Sequence, residues 1–123
     1  VEFRVSGSTD FFFFFTDCIL RNCAMDDLVT AGDSKSKWVM MYGTRNTVEN
    51  CTFLNKESTG ACILVEMANQ GPDEVPADHR ILNNYFYNFP RKDGRTNDGD
   101  SEAIRIGESS YQAKEGGVLV QNN

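Results

Sequence analysis

The sequence predicts an all-β chain wound as a right-handed, single-stranded parallel β-helix, and three observations predict it. First, a short box recurs along the chain. It reads Ile19-Leu20-Arg21-Asn22-Cys23-Ala24-Met25, Val48-Glu49-Asn50-Cys51-Thr52-Phe53 and Ile81-Leu82-Asn83-Asn84-Tyr85-Phe86, and Val120-Gln121-Asn122-Asn123 opens a fourth copy. Second, Asn22, Asn50, Asn83 and Asn122 hold the same place in each copy at spacings of 28, 33 and 39 residues. A solenoid coil takes somewhat over about 20 residues, and loops inserted on one face lengthen successive coils without disturbing the box. Third, no segment keeps the i, i+3, i+4, i+7 apolar pattern of a helix over roughly 11 residues. A β-sandwich is the competing architecture, but it leaves the in-phase asparagine boxes unexplained.

Each element follows from local chemistry. Phe3-Arg4-Val5-Ser6-Gly7, Trp38-Val39-Met40-Met41-Tyr42-Gly43 and Ala103-Ile104-Arg105-Ile106-Gly107 read as short strands closed by a glycine. The glycine suits a tight corner with positive φ. Ala61-Cys62-Ile63-Leu64-Val65-Glu66 reads as a third strand within one coil. At a left-handed corner asparagine is the tolerated non-glycine residue. Stacked from coil to coil, the box asparagines are expected to form an amide ladder. The run Phe11 to Phe15 fits less easily, since alternation in a strand turns two or three of its rings outward. The four cysteines, Cys18, Cys23, Cys51 and Cys62, form no C-x-x-C pair and sit beside apolar strand residues. They are expected to be buried free thiols, because stacked in-register positions seldom give disulfide dihedrals.

Composition narrows the function classes. With 40% hydrophobic and 24% charged residues the chain has a globular composition. Its 123 residues make up part of one domain. The formal net charge of −6 argues against a nucleic-acid or membrane-surface role, which needs an excess of Lys and Arg. No apolar run approaches the roughly 20 residues of a membrane span. One histidine, His79, and no paired cysteines argue against a zinc site. The chain begins with valine and ends on a strand pattern, so the β-helix is expected to be incomplete at one or both ends.

Several boxes resemble those of polysaccharide lyase family 6, which contains alginate lyases and chondroitinase B. They are Phe3-Arg4-Val5-Ser6-Gly7-Ser8, Trp38 to Gly43 with Asn46, Val48, Cys51 and Phe53, Asn55-Lys56 with Gly60 and Leu64-Val65, and His79-Arg80-Ile81 with Asn84-Tyr85-Phe86. Glu102-Ala103-Ile104-Arg105-Ile106-Gly107-Glu108-Ser109 is the most specific. The set covers nearly the whole chain in family order. The resemblance implies a parallel β-helix that cleaves a 4-linked uronate polymer, alginate first, by β-elimination. It implies calcium and basic groups that neutralise the uronate carboxylate, a lysine that abstracts the C5 proton, and an arginine that assists the leaving O4. In the family that lysine and arginine, with a Glu-x-Glu calcium pair, follow the Glu-x-Ile-Arg-Ile-Gly box, and they have no counterpart before Asn123. A family calcium-ligand asparagine stands three residues ahead of the box glutamate. That place is Gly99 here, flanked by Asn97, Asp98 and Asp100.

The candidate site residues follow. Asn97, Asp100 and Glu102 lie in a stretch rich in the hard oxygens that calcium prefers, or else form a polar turn. Arg105, between Ile104 and Ile106, points outward and either holds a uronate carboxylate or pairs with Glu102. Lys56 either contacts substrate or is a solvated loop lysine. Tyr111 either stacks on a sugar or decorates the surface. His79 reads as structural rather than catalytic. Arg91, Lys92 and Arg95 form the basic cluster that could rim an anionic groove. The expected partner is an anionic polysaccharide, and the expected location is secreted or periplasmic. A non-catalytic β-helix module that binds glycans or serves as scaffold is the alternative of another class. A β-helix glycosidase, with paired carboxylates, is a third.

Overall fold

A computed structural model describes residues 2–3, 12–26, 37–56, 60–65, 78–87, 102–107 and 117–123. Twelve strands, β1 to β12, run through these residues, and every strand pairing is parallel. Sheet 1 contains β1 (Glu2–Phe3), β4 (Ala24–Asp26), β7 (Thr52–Leu54) and β10 (Tyr85–Tyr87). Sheet 2 contains β2 (Phe12–Thr16), β5 (Val39–Thr44), β8 (Ile63–Val65) and β11 (Ile104–Ile106). Sheet 3 contains β3 (Ile19–Arg21), β6 (Thr47–Glu49), β9 (His79–Leu82) and β12 (Val118–Gln121). Each sheet takes every third strand in chain order, so the chain winds through the three faces in turn. That is a parallel β-helix, as the recurring box predicts.

The register makes the box a corner. Arg21, Glu49, Leu82 and Gln121 are aligned across sheet 3, so Asn22, Asn50, Asn83 and Asn122 follow in one line. All four have φ between 53° and 55°. Each box therefore holds two strands, one on either side of the left-handed asparagine. A second line of left-handed residues, Asp17, Arg45 and Asp78, marks the corner between sheets 2 and 3. Arg45 closes a two-pronged ion pair on Asp17 at 2.6 Å in both contacts. Both groups are exposed, and the guanidinium holds the Asp17 carboxyl below its usual range.

One sequence expectation about strand placement is corrected. Glu2–Phe3 belongs to sheet 1, and the first-coil partner of Val39–Thr44 is Phe12–Thr16. Residues 4–7 of the expected first strand lie outside the described residues. Ile63–Val65 is the third strand of its coil, as the apolar run predicts. It is the third-coil member of sheet 2, between β5 and β11.

The core fills the space enclosed by the sheets. Met25, Phe53, Val39, Met41, Ile63, Val65, Leu20, Val48 and Ile81 are buried in one cluster, with Trp38 beside them. Phe53 stacks on Phe86 at 4.9 Å and on Trp38 at 6.3 Å. The phenylalanine run resolves into two directions. Phe12 and Phe14 pack against the core, whereas Phe15 is exposed and stacks on Tyr42 at 5.8 Å. Strand alternation gives the change. Just beyond it β5 carries a bulge, with Tyr42 and Gly43 both opposite Phe15, since the pairing shifts between Phe14 and Thr16. Gly43 has φ +56°, and a Cβ there would meet the Phe15 carbonyl oxygen at 1.9 Å.

The polar ladder lies one residue later than the asparagine line predicts. The left-handed asparagines are exposed, although Asn122 Nδ2 does reach Asn83 Oδ1 at 3.2 Å. The ladder follows them, buried at Asn84 and exposed at Asn123. Asn84 Oδ1 accepts the Cys51 N–H at 2.9 Å, and Asn123 Oδ1 accepts the Asn84 N–H at 3.0 Å. Asn84 Nδ2 donates to the Val48 carbonyl and Asn123 Nδ2 to the Ile81 carbonyl, each in the preceding coil. In coil two the same slot holds Cys51, whose thiol reaches the Leu20 and Glu49 carbonyls instead. The reason is steric and chemical: the left-handed residue turns its side chain out, and the next residue turns inward toward unpaired backbone groups at the corner.

All four cysteines are free. Burial is uneven, which corrects the expectation of four buried thiols: Cys51 and Cys62 are buried, whereas Cys18 and Cys23 are half-buried. Burial pushes the Cys62 thiol up to about 12 and raises Cys51 as well.

Candidate functional site

Sheet 2 carries the most specific box. β11 places Arg105 in register with Leu64 and Met40, so its side chain shares their outer face. That face is covered: Met40, Leu64 and Ala61 are buried there in a second apolar cluster, with Tyr42 against it. Arg105 is half-buried beside it and grips Glu102 three residues earlier. Nη2 donates to Oε1 at 3.0 Å, and Nε stands 2.6 Å from Oε2 without a straight hydrogen-bond line. The strand explains the pairing. Glu102 precedes β11 with its carbonyl accepting the Cys62 N–H, and Arg105 folds back across one turn of chain to meet it.

The ion pair is thus one of the two roles read for Arg105, and it also fixes the guanidinium plane. A guanidinium has five N–H donors in a rigid fork. The pair presents an oriented cation at the edge of sheet 2, suited to receiving a second carboxylate.

Lys56 does not lie in a solvated loop. It is 3% exposed, and its ammonium stands 5.9 Å from the centroid of the Trp38 ring. Its positive charge also acts on the buried Cys62 thiol. Lys56 and Arg105 are therefore not brought together as one exposed cationic surface. Asn55, the residue before Lys56, is left-handed at φ 55°. Composition alone does not anticipate the burial of the lysine.

His79 is structural in its geometry. It is fully buried, and its Nδ1 accepts the Asn46 N–H at 3.2 Å. Burial pulls its pKa below the usual value, against the nearby Asp78 carboxylate and a Gly43 carbonyl contact.

Tyr111, Asn97 and Asp100, together with Arg91, Lys92 and Arg95, lie outside the described residues. Of the expected calcium ligands Glu102 alone is described, and its carboxylate is held by Arg105. Calcium takes about six to eight oxygens, and among the described residues no group of three acidic, histidine or cysteine side chains could hold a metal. The described residues by themselves do not fit a calcium ion.

Aromatic surface is a feature that the sequence reading passed over. Tyr85 and Tyr87 are exposed on sheet 1 with rings 6.2 Å apart and nearly parallel. The Tyr-Phe-Tyr alternation of β10 is the signal, since it puts Phe86 inside and both tyrosines outside. No helix among the described residues is long and apolar enough to cross a membrane.

Compared with family models, residues 10–123 match the one described as Chondroitinase B. No curated protein and no solved structure matches the chain.

Proposed function

The chain belongs to the chondroitinase B family, and from that premise we propose that it is part of a polysaccharide lyase that cleaves a uronate-containing polymer by β-elimination. The observation that carries the reading is the family match over residues 10–123 of a chain wound as a parallel β-helix. An anionic polysaccharide is the partner, and alginate is the substrate we propose first.

β-Elimination needs three things: charge neutralisation at the uronate carboxylate, a base for the C5 proton, and an acid for the leaving O4. Arg105 supplies the first in this reading. Its orientation by Glu102 supports that role, because a preorganised guanidinium loses little freedom when a second carboxylate binds. The base and the acid are proposed to be a lysine and an arginine C-terminal to Asn123. Supporting this, Lys56 is buried against Trp38 and Arg105 is paired with Glu102. Neither is placed as an open base. Calcium remains the expected ion for Asn97, Asp100 and Glu102, and no step is derived through it. A secreted or periplasmic location follows from a polymer substrate too large to enter a cell.

The same buried lysine and paired arginine favour a second reading, a non-catalytic module that binds glycans or serves as scaffold. One experiment separates them. The full-length protein carrying this chain is mixed with alginate and, separately, with chondroitin, and the absorbance of the unsaturated product is followed. Arg105→Ala should raise KM about tenfold or more, the worth of one charge-assisted hydrogen bond, with a smaller effect on kcat. Lys56→Met should leave KM unchanged. Binding of either polymer without any unsaturated product would decide for the module.

A further inference from the structure

The corner between sheets 2 and 3 repeats one device in successive coils. A left-handed residue, Asp17, Arg45 or Asp78, is followed by a residue whose side chain turns inward: Cys18, Asn46 or His79. These stack, because Ile19, Thr47 and Arg80 are in register behind them. Asn46 Oδ1 accepts the Cys18 N–H of the coil before at 3.0 Å. His79 Nδ1 accepts the Asn46 N–H of the coil before at 3.2 Å. The imidazole therefore performs the task that an asparagine amide performs one coil earlier, with one difference: the imidazole titrates.

We propose that His79 is an acid-sensitive latch on this corner, closed while the ring is neutral and opened by its protonation. In the neutral ring Nδ1 is the acceptor and Nε2 carries the proton. A protonated ring has two donors and no acceptor, so two N–H groups would then face each other between His79 and Asn46. No water reaches the pair, since both residues are fully buried. Among the described residues Nε2 has no aligned hydrogen-bond partner, and the contact with the Gly43 carbonyl, which favours the charged ring, is outweighed by burial. The described charged groups around the ring are Asp78 and Arg80 on its own strand and Arg45 on the preceding coil. The following coil presents uncharged Gly117, Val118 and Leu119. Arg45 and Asp17 neutralise each other, which leaves Asp78 as the one carboxylate in position to favour the charged ring. It is exposed, and burial outweighs it.

The latch reaches the end of sheet 2. Asn46 Nδ2 donates to the Phe15 carbonyl at 3.2 Å and also to the carbonyls of Phe14 and Tyr42. Opening the His79–Asn46 bond loosens the residue that ties the exposed Phe15–Tyr42 pair to the corner.

The sign is fixed by the direction of the shift. Unfolded, the imidazole titrates near 6.5, and the fold holds it neutral to lower pH. Stability is complete above that value and declines as pH falls below it. The full-length protein is compared with His79→Asn in urea unfolding at about pH 7.5 and about pH 5. The wild type should lose midpoint on acidification. His79→Asn should fold at neutral pH, because Asn46 shows that an amide oxygen makes the same bond, and its loss should be clearly smaller. Equal losses in both proteins would overturn the proposal. Should the variant not fold, amide exchange of the wild type gives the answer alone. After correction for intrinsic rates, the Asn46 N–H should exchange about tenfold faster at the lower pH. Unchanged protection there would overturn it as well.

Discussion

Replacing Asn84 by alanine should destabilise the chain by about 3 kcal/mol. The side chain is buried, and its amide bonds the backbone of the preceding coil and the Asn123 side chain of the next. Oδ1 accepts the Cys51 N–H at 2.9 Å, and Nδ2 donates to the Val48 carbonyl at 3.1 Å and to Asn123 Oδ1 at 2.8 Å. Alanine leaves the Cys51 donor buried without a partner and takes one bond from the Val48 carbonyl, which lies within the parallel pairing of β6 with β9. An orphaned buried donor costs about 1–3 kcal/mol and a lost hydrogen bond about 1 kcal/mol, so the two together give roughly 3 kcal/mol. Asn84→Cys is the informative companion. Cys51 occupies the equivalent slot one coil earlier and keeps a thiol contact to the Leu20 carbonyl at 3.6 Å. A cysteine at 84 should recover the Val48 contact but not the Cys51 one, and should fall between wild type and alanine. Urea unfolding followed by the fluorescence of Trp38, the one tryptophan, gives the ranking. A loss below about 1 kcal/mol for alanine, or a cysteine variant no better than alanine, would refute the ladder as a source of stability.

Gly43→Ala should prevent or severely impair folding, since its Cβ would strike the Phe15 carbonyl at a positive φ. Circular dichroism with a melting curve is the check, and a variant melting with the wild type would be contrary to the bulge described. A thiol reagent at about pH 8 should label Cys18 and Cys23 in the native protein and spare Cys51 and Cys62, whose thiols are buried and raised, Cys62 to about 12. Mass mapping of the labelled sites tests this, and fast labelling of Cys62 without denaturant would contradict it. Lys56→Ala should cost about 2 kcal/mol or more through lost packing and should shift the Trp38 emission. A surface lysine would change neither.

The sequence made the solenoid legible because its period is carried by backbone geometry. Asn22, Asn50, Asn83 and Asn122 stand where a left-handed residue is required, and few residue types satisfy that demand. The corner between sheets 2 and 3 was harder to read, since Asp17, Arg45 and Asp78 share a conformation but not a residue type. Arg45 is costly in that region, and its ion pair with Asp17 is what marks the place. Phe12–Thr16 was not legible as a sheet 2 strand because an unbroken phenylalanine run carries no polar–apolar alternation to read. Asn84 and Asn123, which form the ladder, were not singled out, because the corner asparagine beside each carries the repeat. Within the candidate site, the Glu102–Arg105 pairing was readable from strand spacing. The burial of Lys56 was not, because it depends on Trp38, distant in sequence and brought near by the winding of the coils.

End-group analysis of the digested polymer tests the central claim most directly. The full-length protein is incubated with alginate, and the new non-reducing ends are examined by mass spectrometry and ultraviolet absorbance. β-Elimination predicts 4,5-unsaturated uronates, each chain break adding one double bond and no water. Saturated ends carrying the mass of an added water would mean hydrolysis, and an uncut polymer that nonetheless binds would mean a non-catalytic module. Either result would contradict the lyase assignment.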